Sequence, residues 1–88
     1  MTLYIISYDL TQPDRDYSGL YGAIEGFNTW WHYLESTWIV KTTDSPDEIF
    51  EKLKPYVDEN DNLLIVGVGK KHQGWLPKKA WDWINRNQ

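Results

Sequence analysis

The chain contains no cysteine, so neither a disulfide framework nor thiolate chemistry is available to it. It has two histidines, His32 and His72, forty positions apart and without cysteine partners, which gives no zinc signature. No apolar run approaches the ~20 residues that cross a bilayer, which excludes a membrane-spanning helix. The start enters a strand pattern directly and carries no signal-like basic stretch, so a cytoplasmic location is expected. Glycines 67 and 69 in "VGVG" lack both the following helix and the spacing of a phosphate loop. Positive charge is also scarce. The net charge of −4 argues against broad nucleic-acid binding.

Aromatic residues, by contrast, are plentiful. They fill 16% of the 88 positions, with six Trp and six Tyr. A chain this short makes one domain, residues 1 to 88, and hides a limited fraction of its surface, so large rings carry much of its burial. Rings also suit interfaces, and a homodimer is plausible on composition alone. The charge is unevenly placed. Residues 70 to 88 hold Lys70, Lys71, Lys78, Lys79 and Arg86 against Asp82, net +4, while residues 1 to 69 hold four cations against twelve acids, net −8.

The first strand is read at Leu3 to Asp9, apolar on both faces and therefore central. "TQPDRD" (11 to 16) is turn material. Tyr17, Leu20, Tyr21, Ile24 and Phe27 then recur at spacings of 3, 1, 3 and 3, one face of a helix that Asp14 or Asp16 can cap and Gly26 can end. "TWWHYLESTWIVKTT" (29 to 43) is strand composition, too long for one strand, with Glu35-Ser36 at the bend. "SPDE" (45 to 48) opens a second helix, with Ser45 as N-cap, Glu48 closing a capping box, and Ile49, Phe50 and Leu53 as its buried face. "DENDN" (58 to 62) is a polar turn, and Leu63 to Val68 a fourth strand apolar on both faces. "GKKHQGWLP" predicts a loop with a short edge strand at Trp75-Leu76. Pro77 then opens a last short helix with Trp81 and Ile84 inward and Trp83 on another face, suited to an interface.

The order β-α-β-β-α-β with a C-terminal extension predicts an α+β, ferredoxin-like sandwich. Its four-stranded antiparallel sheet has strands one and three central, two helices on one face, and a short C-terminal helix in addition. Strands one and four are apolar on the side away from those helices, so a second subunit is expected to cover it.

A first strand ending "SYDL", a helix, "YLESTWIVKT" with its mid-run serine, and the acidic turn "DENDN" before an apolar strand resemble the small CRISPR-associated protein of the spacer-acquisition complex, Cas-two. The "WWHYLESTWIVKT" stretch and the terminal "GWLP…AW" resemble more closely the short, Trp-rich bacterial relatives called SinR-like. The likeness covers about residues 3 to 68. It implies a homodimer built sheet to sheet in a phage-defence setting. It also implies a metal-dependent nuclease activity in some members, in which Asp9 matches the acid that carries the metal, or a non-catalytic role gripping duplex DNA. Two departures stand out. Arg15, between two acids, is the one basic residue soon after the strand-one acid, where the family usually has several. The Trp-rich C-terminal helix is not part of the usual acquisition protein.

On these residues Asp9 is the candidate catalytic and metal-holding group. Two copies could share Mg²⁺ across a two-fold axis, against the plainer reading that Asp9 accepts backbone N–H groups of the following turn. Ser36 could position a phosphate, or simply occupy a turn. Arg15, Ser36, Lys70, Lys71 and Trp75 form the candidate nucleic-acid-binding set, since cations can track phosphates while an indole stacks on a base. For His32 the expectation is a packed, hydrogen-bonded side chain. The competing function is a non-enzymatic dimer that works through protein partners, and a small-molecule sensor is a third reading without a pocket signature.

Overall fold

In the computed structural model, which describes residues 1 to 12 and 14 to 88, the elements run β1 (Thr2–Asp9), α1 (Ser18–Glu25), β2 (Thr29–His32), β3 (Thr37–Thr42), α2 (Pro46–Leu53), a 3₁₀ turn (Lys54–Tyr56), β4 (Asn62–Val68) and α3 (Lys78–Asn87). Pro13, part of the expected first turn, lies outside the described residues. The four strands form one antiparallel sheet in the order β2-β3-β1-β4, so β1 and β3 are central and the ferredoxin-like plan is present.

Alternation along the strands sorts the sheet into two faces. Ile6, Tyr8, Trp38 and Val40 point to one side, where they pack with Leu20 and Ile24 of α1 and Ile49 and Leu53 of α2. Several of these, Ile6, Leu20, Ile24, Val40, Ile49 and Leu53, are fully buried. The α2 start is built as the sequence indicates. Ser45 Oγ accepts the Glu48 N–H while the Glu48 carboxylate accepts the Ser45 N–H, which satisfies two otherwise orphaned donors. Phe50, expected in the buried face of α2, is instead 41% exposed. One helical position after Ile49, it rotates away from the stripe that Ile49 and Leu53 define.

The opposite face departs from expectation. It was expected to need a second subunit, yet α3 lies on it. Leu3, Ile39 and Ile84 are buried together there, with Ile5, Trp31, Val68, Leu76, Trp81 and Trp83 packed against them. Trp83, expected to face an interface, thus joins this second core. Pro77 accepts the Ala80 and Trp81 N–H groups at its carbonyl and starts the helix, and Gln88 returns its side-chain amide to the Gly69 carbonyl. The loop and helix therefore run out along the face and back. No strand forms at Trp75-Leu76. The cover is incomplete over β4, an edge strand, where Leu64 and Val66 remain 60% and 43% exposed.

Candidate functional site at the end of the first strand

A cleft of about 490 Å³ opens where β1 ends, between the β1–α1 loop, the start of α1 and the β2–β3 turn. Asp9, Arg15 and Ser36, singled out from three separate stretches of sequence, all line it, with Tyr8, Gln12, Asp16, Tyr17, Tyr21 and Glu35 among the other walls. The antiparallel pairing of β1 with β3 brings them together. It places Ser7 opposite Thr37, so the 34–36 turn lands beside the end of β1, and the Ser36 carbonyl accepts the Tyr8 N–H.

The Asp9 side chain is exposed, and no described residue donates a hydrogen bond to its carboxylate. The expected turn-acceptor role belongs to other acids. Asp61, at the end of the "DEND" turn, accepts from the Thr11 N–H at 3.0 Å, the Tyr17 hydroxyl at 2.8 Å and the Asp58 N–H at 3.2 Å. Partial burial alone would raise its pKa. The hydrogen bonds from Thr11, Tyr17 and Asp58 outweigh that and hold it below the usual carboxylate value. Asp16 accepts the Ser18 N–H at 2.9 Å, which lowers its own pKa and leads the chain into α1. Asp58 takes Arg15 at 3.0 Å. The residue expected to meet phosphate is therefore already paired, and the acidic turn works as a latch that shapes the cleft wall.

Because the Asp61 pKa is lowered on folding, its stabilising contribution is present above the unfolded value near ~4 and is lost as pH falls through the lower folded value. The wild-type chain is therefore expected to lose more stability between about pH 5 and pH 2 than Asp61→Asn does. Urea midpoints at a series of pH values read the difference. Parallel pH curves for the two chains would remove the latch from the account.

A row of rings borders the cleft. Trp38 is 2% exposed, and its Nε1–H donates to the Tyr8 hydroxyl at 3.0 Å. Burial pushes the Tyr8 pKa up, so the phenol stays protonated and donates in turn toward the Glu35 carbonyl at 3.4 Å. His32 stacks on Trp38 with centroids 3.7 Å apart, and its Nε2–H donates to the Glu35 carbonyl at 3.1 Å. The packed, hydrogen-bonded His32 is thus as expected, although its outer surface is open.

Lys70, Lys71 and Trp75 do not join Asp9. Lys70 follows β4 and shares a small cavity with Met1, Thr2 and Gln88, at the opposite end of β1. Eight residues of strand separate the two ends, roughly 23 Å. Trp75 lies on the other face of the sheet, fully exposed at the mouth of an apolar cavity of about 320 Å³ lined by Ile5, Trp31, Leu34, Ile39, Leu76 and Trp81. The candidate binding set is therefore split in three.

No family model, no curated protein and no solved structure matches this chain. What the cleft can do follows from its chemistry. Among the described residues no group of three or more His, Cys, Asp or Glu side chains is placed to hold a metal ion. Asp9 nonetheless fits the thinner demand of Mg²⁺, which uses one or two carboxylates and takes its remaining oxygens from phosphate and water. The carboxylate is free of hydrogen bonds from described residues, exposed and within an open cleft. The sequence reading missed Tyr21, which lines the cleft, and the exposure of Trp30 on the same face of the sheet. Their spacing marked Tyr21 as core and Trp30 as strand, and only their exposure in the fold distinguishes them.

Proposed function

We propose that this chain is a Cas-two-like protein of the phage-defence type that meets nucleic acid at the cleft at the end of β1, with Asp9 as the group that holds a divalent cation. The observation that carries this reading is the convergence of Asp9, Arg15 and Ser36 on one cleft, with the Asp9 carboxylate unclaimed by any described donor. Asp9, Asp16 and Glu35 line the cleft, while Arg15, the one cation among its described lining residues, is neutralised by Asp58. A bare phosphate would be repelled, so contact should depend on the ion. Bound there, the ion would polarise a phosphodiester and lower the pKa of a coordinated water. For the chain's own part, Asp9 would anchor the ion, and the Ser36 hydroxyl, on a residue that lines the same cleft, would donate to a phosphate oxygen.

Asp9→Asn is expected to abolish Mg²⁺- or Mn²⁺-dependent binding and cleavage of nucleic acid while moving the thermal midpoint by less than about 4 °C, because no described residue donates to the exposed carboxylate. Ion-dependent cleavage that survives Asp9→Asn in the purified protein would sink the nuclease reading.

A second reading, a non-enzymatic module that works through a partner or a second copy, is favoured by one observation. Trp75 is fully exposed at the mouth of the apolar cavity, beside Tyr33 and Leu34 at 63% and 45% exposure. Association through those rings would be nearly indifferent to salt, whereas nucleic-acid contact through phosphates weakens with it.

A further inference from the structure

The rings beside the cleft form a surface of their own. Trp38 is its fixed base, buried, bonded to Tyr8 and paired across the strands with His32. Around it stand three rings open to solvent. Tyr21 lies nearly parallel to Trp38 at 6.4 Å and is 36% exposed, Trp30 is tilted at 5.1 Å and 38% exposed, and His32 is stacked at 3.7 Å and exposed. Two strands and a helix set these positions, so the rings need no ordering when a ligand arrives. The surface is continuous with the cleft. Tyr21 belongs to both, Tyr8 lines the cleft with its ring centroid 6.1 Å from that of Tyr21, and Glu35, another lining residue, holds His32 with its carbonyl.

We infer that Tyr21, Trp30 and His32 form a stacking surface for an unpaired nucleobase. The inference rests on the reading that this cleft meets nucleic acid, and it names what is recognised there. The electrostatics argue for it. With Arg15 held by Asp58, the described residues of the cleft lining supply no free cation, so tracking a phosphate backbone gives little affinity. Stacking on rings is the remaining large term, and it requires a base that is not already stacked in a duplex. The edge chemistry selects further. The Glu35 carboxylate offers an acceptor, which matches the exocyclic amino groups of cytosine and adenine better than the carbonyl-rich edge of thymine.

The test measures binding of labelled ten-nucleotide strands by anisotropy, in Mn²⁺ and in EDTA. The strands are deoxycytidine, thymidine and an abasic backbone, with cytidine monophosphate as a competitor. The cytidine strand is expected to bind about tenfold or more tighter than the abasic strand, with thymidine between them. Trp30→Leu is expected to lose about the same factor. Should Trp30→Leu melt early, the abasic comparison on the unaltered chain decides alone. Competition by cytidine monophosphate at strand-like concentrations would support the surface and assign it to a free nucleotide, whereas weak competition would assign it to a strand. An abasic strand that binds as well as the cytidine strand would overturn the stacking surface and leave the ion reading of the cleft standing. A base preference that persists in EDTA and in Asp9→Asn would support the surface while sinking the ion. Failure of every strand to bind would sink both.

Discussion

Replacing Ile84 by aspartate is expected to strip α3 from the sheet and lower the thermal midpoint by at least about 8 °C. Ile84 is 4% exposed and packs with Leu3 and Ile39 in the smaller core. Truncating a buried isoleucine costs about 2–5 kcal/mol, and in a domain of this size each kcal/mol moves the midpoint by about 4–8 °C. A carboxylate adds the cost of an unpaired buried charge, which the chain escapes by releasing the helix. The release should uncover Ile5, Trp31, Ile39 and Val68, so dye binding to apolar surface should rise and protease should cut within residues 70 to 77. The same variant separates two accounts of this face. If α3 is its cover, the loss appears at every protein concentration. A midpoint that falls only on dilution, in the unaltered chain as well, would return the cover to a second subunit.

Trp38→Ala is expected to cost about 3–5 kcal/mol, a large part of the roughly 4–13 kcal/mol that a chain of 88 residues can hold. The indole fills the space between β1, β2 and α1 and touches rings on three sides. Its loss leaves a cavity in the larger core and removes the base on which Tyr21, Trp30 and His32 are arranged. Thermal unfolding should therefore come at least about 12 °C earlier. Trp38→Phe keeps a ring and gives up the Nε1–H bond to Tyr8, a loss of about 1 kcal/mol beyond the repacking. A Trp38→Ala chain that melts within a few degrees of the unaltered one would mean that this indole does not organise the cleft side of the sheet.

Most of the architecture is legible in particular residues. "SPDE" specifies its helix start completely, because a capping box is a local arrangement of four consecutive residues, and both its hydrogen bonds are present. The bend at Glu35-Ser36 and the pairing of β1 with β3 follow from turn chemistry and alternation, which are equally short-ranged. The candidate site was half legible. Asp9 and Ser36 could be placed at the ends of strands, and strand ends in an antiparallel sheet meet. Arg15 could not be read as spent, because its partner Asp58 lies 43 positions away in another turn, and both sit in stretches rich in acids where any pairing looks alike.

The C-terminal segment shows where such reading stops. Trp81 and Ile84 at helical spacing announced an amphipathic helix, and that helix exists. Periodicity says that a stripe must be buried, but it does not say against which surface. The outer face of the sheet had the same ambiguity, apolar and in need of some cover. Sequence alone therefore determined the order of elements, the central strands and the two apolar surfaces to be hidden. Tertiary structure alone decided that these two surfaces hide each other, that Lys70 and Trp75 are carried away from Asp9, and that Tyr21 and Trp30 stay open beside the cleft. The reason is that burial is settled between distant parts of the chain, whereas propensity, capping and alternation are settled among neighbours.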